Sequence, residues 1–60
     1  MSNWQNVASN PPPQHVVLLT KISDQHGERN EARLILEGRL WFFEDYSIYV
    51  YYTPTHWKYP

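Results

Sequence analysis

The stretch that decides the fold class spans residues 31–53 and runs EARLILEGRLWFFEDYSIYVYYT. Polar and apolar side chains alternate over residues 31–37, as they do on a strand that buries one face. Glu37-Gly38 then favours a tight hairpin turn, after which residues 39–43 resume an apolar pattern. This stretch therefore predicts two consecutive antiparallel strands.

The sequence on either side of this stretch also predicts strands. Residues 46–53 (YSIYVYYT) have the strongest β composition in the chain and predict a further strand. Upstream, residues 15–22 (HVVLLTKI) predict a β-branched, apolar strand. Between the strands, residues 23–30 carry no apolar side chain and predict a turn or loop, with Gly27 as the positive-φ position. A helix over residues 28–37 is the alternative, which the two-residue period disfavours but leaves open.

Together these elements predict an all-β fold, a small antiparallel meander of three to four strands, because sequential strands with short connections pair as neighbours. Sixty residues make one domain, residues 1–60, with a proline-rich arm at 1–14 and a sheet body at 15–60. A core this small needs aromatic area, so we expect Trp4 and Trp57 to pack on the sheet and anchor both termini. The alternative for the arm is a disordered leader.

Composition and charge narrow the range of functions. The formal net charge is −1, with five basic against six acidic residues, whereas a protein that coats DNA is strongly basic. Cysteine is absent from the sequence, which fits a reducing compartment. Residues 1–13 lack the charge and apolar core of a signal peptide, and no apolar run approaches the ~20 residues of a membrane span. We therefore expect a soluble cytoplasmic protein that makes no contact with a membrane.

Motifs for catalysis or metal binding are not found. The histidines His15, His26 and His56 are far apart and share no metal-ligand spacing, and no serine has a nucleophile context. The expectation is a protein without enzymatic activity, cofactor or metal. His56 is instead expected to hydrogen-bond within the C-terminal Thr-His-Trp and to anchor it. Carboxylates near aromatics at 37, 44 and 45 suggest a sugar-hydrolase site only weakly, because so short a chain has little room for a pocket.

Aromatic residues are the strongest functional signal. Seven of the twelve residues from 41 to 52 are aromatic, more than the core of so small a domain can hide. We expect one sheet face to form the core and the other to form a binding surface. The residues predicted for that surface are Arg39, Trp41, Phe43, Tyr49 and Tyr51. The alternative is that the two tails cover this second face.

The termini also resemble those of a known family. Trp4 with Val7 and the prolines, the Val16–Leu19 strand and the terminal Thr55-His56-Trp57 resemble small uncharacterised bacteriophage and prophage proteins. These have an N-terminal Trp-x-x-Val and end in Thr-His-Trp-x-Pro-x-Pro, of which this chain lacks one proline. The resemblance implies a phage source and a short β-sheet more than an activity. By analogy with other phage accessory proteins, it suggests binding and inhibition of a host enzyme or defence complex.

Two classes of function follow. The first is a protein-binding module whose partner is a host or phage protein, in the cytoplasm of a bacterial host, with homodimerisation as a further use of the same surface. The second is aromatic stacking on single-stranded nucleic acid or sugar. The interleaved acidic residues disfavour nucleic acid.

Overall fold

The computed structural model describes residues 3–60 and confirms the all-β, antiparallel fold. Five strands form one sheet: β1 (Gln5–Asn6), β2 (Val17–Asp24), β3 (Gly27–Glu37), β4 (Leu40–Phe43) and β5 (His56–Lys58). Their order in the sheet is β1-β5-β2-β3-β4, and every neighbouring pair is antiparallel. The predicted meander is therefore present as β2-β3-β4. The terminal segments do more than pack on this sheet, because both extend it as strands.

The β2–β3 hairpin replaces the predicted loop at residues 23–30, and it also excludes the helix over 28–37. Asp24 pairs with Gly27, so only Gln25 and His26 lie between the strands. The His26 N–H donates to Asp24 Oδ1 at 2.9 Å, and Gly27 has a φ of 104°, as the sequence predicted. The chain turns through this short-range hydrogen bonding, and the polar side chains of the hairpin tip stay in water.

A β-bulge lies in the middle of the same hairpin. Thr20 pairs with Ala32 and Ile22 with Arg29, so β3 contributes one more residue than β2 over this interval. Asn30 lies in the extra stretch with a φ of 58°, a left-handed conformation that asparagine tolerates. The bulge shifts the alternation of side chains between the two faces in this part of β3.

The predicted turn at Glu37-Gly38 is present as the tight β3–β4 connection. Glu37 pairs with Leu40, and Gly38 at the first central position has a φ of 64°. The Gln14 side-chain amide fastens this turn from outside, since Gly38 N donates to Gln14 Oε1 at 2.8 Å and Gln14 Nε2 donates to Gly38 O at 3.1 Å. The end of the proline-rich arm is thereby attached to the body.

The main core cluster lies on one face of the sheet, and Ile35 is buried on the other face, where it pairs with Phe42. Strands β2 and β3 supply leucines to this cluster, β4 and β5 each supply a tryptophan, and the segment after β4 supplies a valine. The buried members of the cluster are Leu18, Leu34, Leu36, Trp41, Val50 and Trp57. Val7, Ala32 and Tyr52 pack against this cluster. A single sheet has no second layer, so the segments that precede β2 and follow β4 must cover the core face themselves.

The predicted strand at 46–53 is wrong for this reason. After β4 the chain has to reach the far side of β2, where β5 pairs with it. Tyr46 turns the chain with a φ of 59°, and only an isolated bridge between Phe42 and Tyr49 continues the sheet. Val50 and Tyr52 then pack on the core. Coverage of the core face therefore outweighs the high β propensity of the segment.

Candidate binding surface

The segment after β4, residues 44–53, is called here the tyrosine loop. It carries large side chains that face solvent although the loop itself is anchored: Tyr46, Ile48, Tyr49 and Tyr51. Tyr51 is 95% exposed and packs edge-on against Tyr52, with ring centroids 5.8 Å apart. Phe43, at the end of β4, adds another exposed ring beside the loop. Tyr46 and Tyr49 both pack against Phe42, with ring centroids 5.9 Å apart in each pair. Exposed aromatic clusters of this kind are typical of interaction surfaces.

Backbone hydrogen bonds hold the tyrosine loop against β4. The Phe43 N–H donates to Ile48 O at 3.0 Å, and the Val50 N–H donates to Trp41 O at 2.8 Å. Between them, Ser47 N donates to Asp45 Oδ1 at 2.9 Å and so closes a local turn. The exposed rings are thus presented on a backbone that is already ordered, which reduces the entropy that binding would cost.

Glu37 links the tyrosine loop to the arm that precedes β2. Its Oε2 accepts from the Tyr46 hydroxyl at 2.9 Å and lies 2.6 Å from His15 Nδ1. These two hydrogen bonds, that of Tyr46 first, hold the pKa of Glu37 below its ordinary value, and Glu37 in turn raises the pKa of Tyr46. His15 and Tyr46 both have positive φ values, so the network joins two tightly turned segments.

Charges lie beside the exposed rings. Glu44 Oε1 forms an ion pair with Arg33 Nε at 3.3 Å, and Ser47 lowers the pKa of the Asp45 carboxyl by hydrogen bonding. These side chains, with Phe43, line a shallow depression of about 500 Å³. Asp45 makes no ion pair with any residue of the described part of the chain, so its charge is available at the rim of the aromatic surface.

Four of the five residues predicted for the binding surface are exposed: Arg39, Phe43, Tyr49 and Tyr51. Trp41 is the exception, because it is only 4% exposed and belongs to the core. It pairs with Leu36, and both side chains therefore point to the core face. The structure also spreads the set over different parts of the surface, since Arg39 lies in the β3–β4 turn and the two tyrosines lie in the tyrosine loop.

The sequence analysis missed Tyr46 and Ile48. A regular strand over residues 46–53 would place Ile48 on the same face as the buried Val50. The signal that would have found them is Asp45-Tyr46-Ser47, in which an aspartate two residues before a serine favours a turn through its side chain. With the strand interrupted there, the alternation of faces no longer applies.

The residues predicted as anchors all lie in or beside the sheet. The buried Trp57 donates from Nε1 to Asn10 O at 2.8 Å. His56 Nδ1 lies 2.8 Å from the Thr55 hydroxyl, which also accepts from Ser23 N at 2.8 Å. The half-buried Trp4 lies under two ammonium groups, those of Lys21 and Lys58, which are 4.4 and 4.7 Å from its ring centroid.

Residues 3–60 contain no group of three or more potential metal-binding side chains. Nor does that part of the chain form a helix long and apolar enough to cross a membrane. In comparisons with known proteins, no family model, curated protein or solved structure matches this chain.

Proposed function

We propose that this chain is a binding protein without catalytic activity, which uses the tyrosine loop to cover part of a partner protein's surface. The observation that carries the proposal is the exposure of Tyr51, Tyr49 and Tyr46 on a loop held by backbone hydrogen bonds. Tyrosine is among the residue types most enriched at binding hot spots, and an ordered loop loses little entropy on binding.

The chemistry around the loop indicates what kind of surface it fits. Exposed aromatic rings need an apolar groove, and Asp45 and Glu44 at the edge favour a groove with basic residues at its rim. We propose a host or phage protein with such a groove, in the cytoplasm of a bacterial cell. The phage-like termini support this setting by resemblance only, and inhibition of a host enzyme or defence complex is the corresponding mode of action.

A second copy of this chain is the competing occupant. A homodimer that buried the tyrosine loop would increase the buried apolar area of a small domain. Light scattering at increasing protein concentration distinguishes the two cases, because the proposal requires a monomer whose loop is free. A dimer that dissociates when Tyr51 is replaced by serine would assign the surface to self-association.

The decisive experiment compares two exposed tyrosines on different parts of the molecule. The parent, Tyr51→Ser and Tyr59→Ser are immobilised and exposed to bacterial lysate, and the retained proteins are identified by mass spectrometry. We expect a partner that Tyr59→Ser retains and Tyr51→Ser loses. Equal retention by both variants, when both are folded by circular dichroism, would contradict the proposal. Retention that nuclease treatment of the lysate abolishes would indicate nucleic acid.

A further inference from the structure

A cleft on the opposite side of the molecule from β4 has no role in the proposed function. It lies where β1 meets β5, has a volume of about 450 Å³, and is lined by Asn3, Gln5, Asn10, Trp57, Lys58 and Tyr59. That volume is within the range of about 300–1,000 Å³ that is usual for small-ligand sites. The lining residues come from both ends of the sequence and meet because β1 pairs with β5.

Two aromatic rings at right angles shape this cleft. The Trp57 and Tyr59 centroids are 5.4 Å apart, with an angle of 86° between the ring planes. Trp57 is buried and fixed by its hydrogen bond to Asn10 O, whereas Tyr59 is 64% exposed. The cleft therefore has a rigid aromatic side formed by Trp57 and, next to it, the largely exposed ring of Tyr59.

Uncharged hydrogen-bonding groups surround these rings. Asn10 Nδ2 donates to Gln5 Oε1 at 3.0 Å, and Gln5 Nε2 donates to Asn3 O at 3.3 Å, so the amides are ordered relative to one another. Within residues 3–60, the Asn3 side-chain amide, Asn10 Oδ1 and the Tyr59 hydroxyl have no hydrogen-bond partner. The cleft thus offers both donors and acceptors to a ligand.

Among residues 3–60, Lys58 is the one charged residue that lines the cleft, and its ammonium group lies on the other face of the sheet. Gln5 pairs with Trp57, so these two side chains share the core face, and Lys58, the next residue, points to the opposite face. There its ammonium lies 4.7 Å from the centroid of Trp4. No carboxylate from residues 3–60 lines the cleft either. This part of the chain therefore supplies neither the cation that a phosphate needs nor the acids that glycoside hydrolysis needs.

We propose that this cleft binds a short neutral oligosaccharide without cleaving it. One sugar ring would place its C–H face on the exposed side of Tyr59, and its hydroxyl groups, which both donate and accept, would bond the free amide groups of Asn3 and Asn10. A ligand of this class matches a site made of open aromatic surface and uncharged polar groups. A nucleotide does not, because the lysine ammonium is on the other face.

The test is a titration of the isotope-labelled protein followed by NMR. The probes are cellotriose, chitotriose, maltotriose and mannotriose, with a thymidine trinucleotide as the competing class. We expect at least one trisaccharide to shift the Trp57 indole N–H and the side-chain amides of Asn3 and Asn10. Tyr59→Ala weakens this binding roughly tenfold, the size of a lost ring-stacking contact, while Tyr59→Phe retains most of it.

The matched control is Tyr51→Ala, which removes an exposed ring from the tyrosine loop and leaves sugar binding unchanged. The proposal is overturned if none of the four trisaccharides shifts the cleft signals, or if folded Tyr59→Ala binds like the parent. It is also overturned if the trinucleotide alone binds with an affinity that falls with salt. Because the tyrosine loop is not involved, these outcomes are independent of the partner-retention experiment.

Discussion

The tip of the β2–β3 hairpin and the tyrosine loop are segments of similar length that are held in opposite ways. The tip, residues 23–30, is polar and exposed, and its order comes from strand pairing and from the bidentate contact of Arg29 with Asp24, at 3.0 and 3.1 Å. The tyrosine loop is aromatic, and three backbone hydrogen bonds connect it to β4. It depends on Val50 and Tyr52, which pack into the core.

The difference shows two separate sources of local order in a small β domain. Backbone hydrogen bonding between two strands needs only a partner strand and a turn, so a segment with polar side chains can form it. An irregular loop must be attached by side chains that reach the core, and the side chains between these anchors remain free for other contacts. Exposed aromatic residues are consequently found in the loop and not at the hairpin tip.

The largest expected effect tests whether the loop depends on the core. Trp57 belongs to the same cluster as Val50, and replacing a buried tryptophan by alanine costs about 3–5 kcal/mol. Trp57→Ala should therefore be largely unfolded, because a domain of this size has a stability of only ~5 kcal/mol. Urea denaturation followed by circular dichroism measures the loss. A variant that unfolds at the parent's urea concentration would contradict the assignment of Trp57 to the core.

The second largest loss of stability is expected at Val50 of the tyrosine loop, with Ile48 as its exposed control. Val50 is 9% exposed and Ile48 is 58% exposed, although only one residue separates them. Val50→Ala should cost about 2 kcal/mol through lost burial and the cavity that remains, while Ile48→Ala should change stability by less than about 0.5 kcal/mol. Both are measured by thermal denaturation. Equal losses would mean that the loop buries Ile48 as well and presents less apolar surface than described.

At the hairpin tip, the backbone conformation of Gly27 should matter more for stability than the side chain of Gln25. A Cβ at Gly27 would meet nothing within 4 Å, but its φ of 104° disfavours any other residue. Gly27→Ala should therefore cost about 1–2 kcal/mol, whereas Gln25→Ala at the same tip should be neutral within about 0.5 kcal/mol. Urea midpoints of the two variants check this. If Gly27→Ala were neutral, the turn would have another conformation.

The smallest expected effect depends on pH. The pKa of Glu37 is lowered in the folded state from its ordinary value of 4.5, chiefly by Tyr46 and then by His15. The ionised Glu37 carboxylate therefore contributes its full stabilisation above pH 4.5. This contribution is lost as the pH falls through the pKa that Glu37 has in the folded state. We expect Glu37→Gln to melt slightly below the parent at neutral pH, with a difference that disappears in acid. The effect is small because water screens exposed groups.

Tyr46→Phe is the control for the pH experiment, since it removes the first of the two hydrogen bonds and leaves the charge. Its melting temperature should lie between those of Glu37→Gln and the parent at neutral pH. A difference between Glu37→Gln and the parent that persists unchanged in acid would show that the carboxylate charge is not what stabilises the link between the loop and the arm.

The local pattern was sufficient to predict the strand character of residues 17–22, 31–37 and 40–43, the turn at Gly38 and the positive φ of Gly27, because alternation and glycine act locally. Four of the five residues that it proposed for a binding surface are exposed. Tertiary contacts were needed to place Trp41 in the core, to pair residues 23–30 and to make the tyrosine loop irregular. These outcomes depend on which strand lies beside which and on the need to cover one face of a single sheet, and neither is encoded in the local pattern.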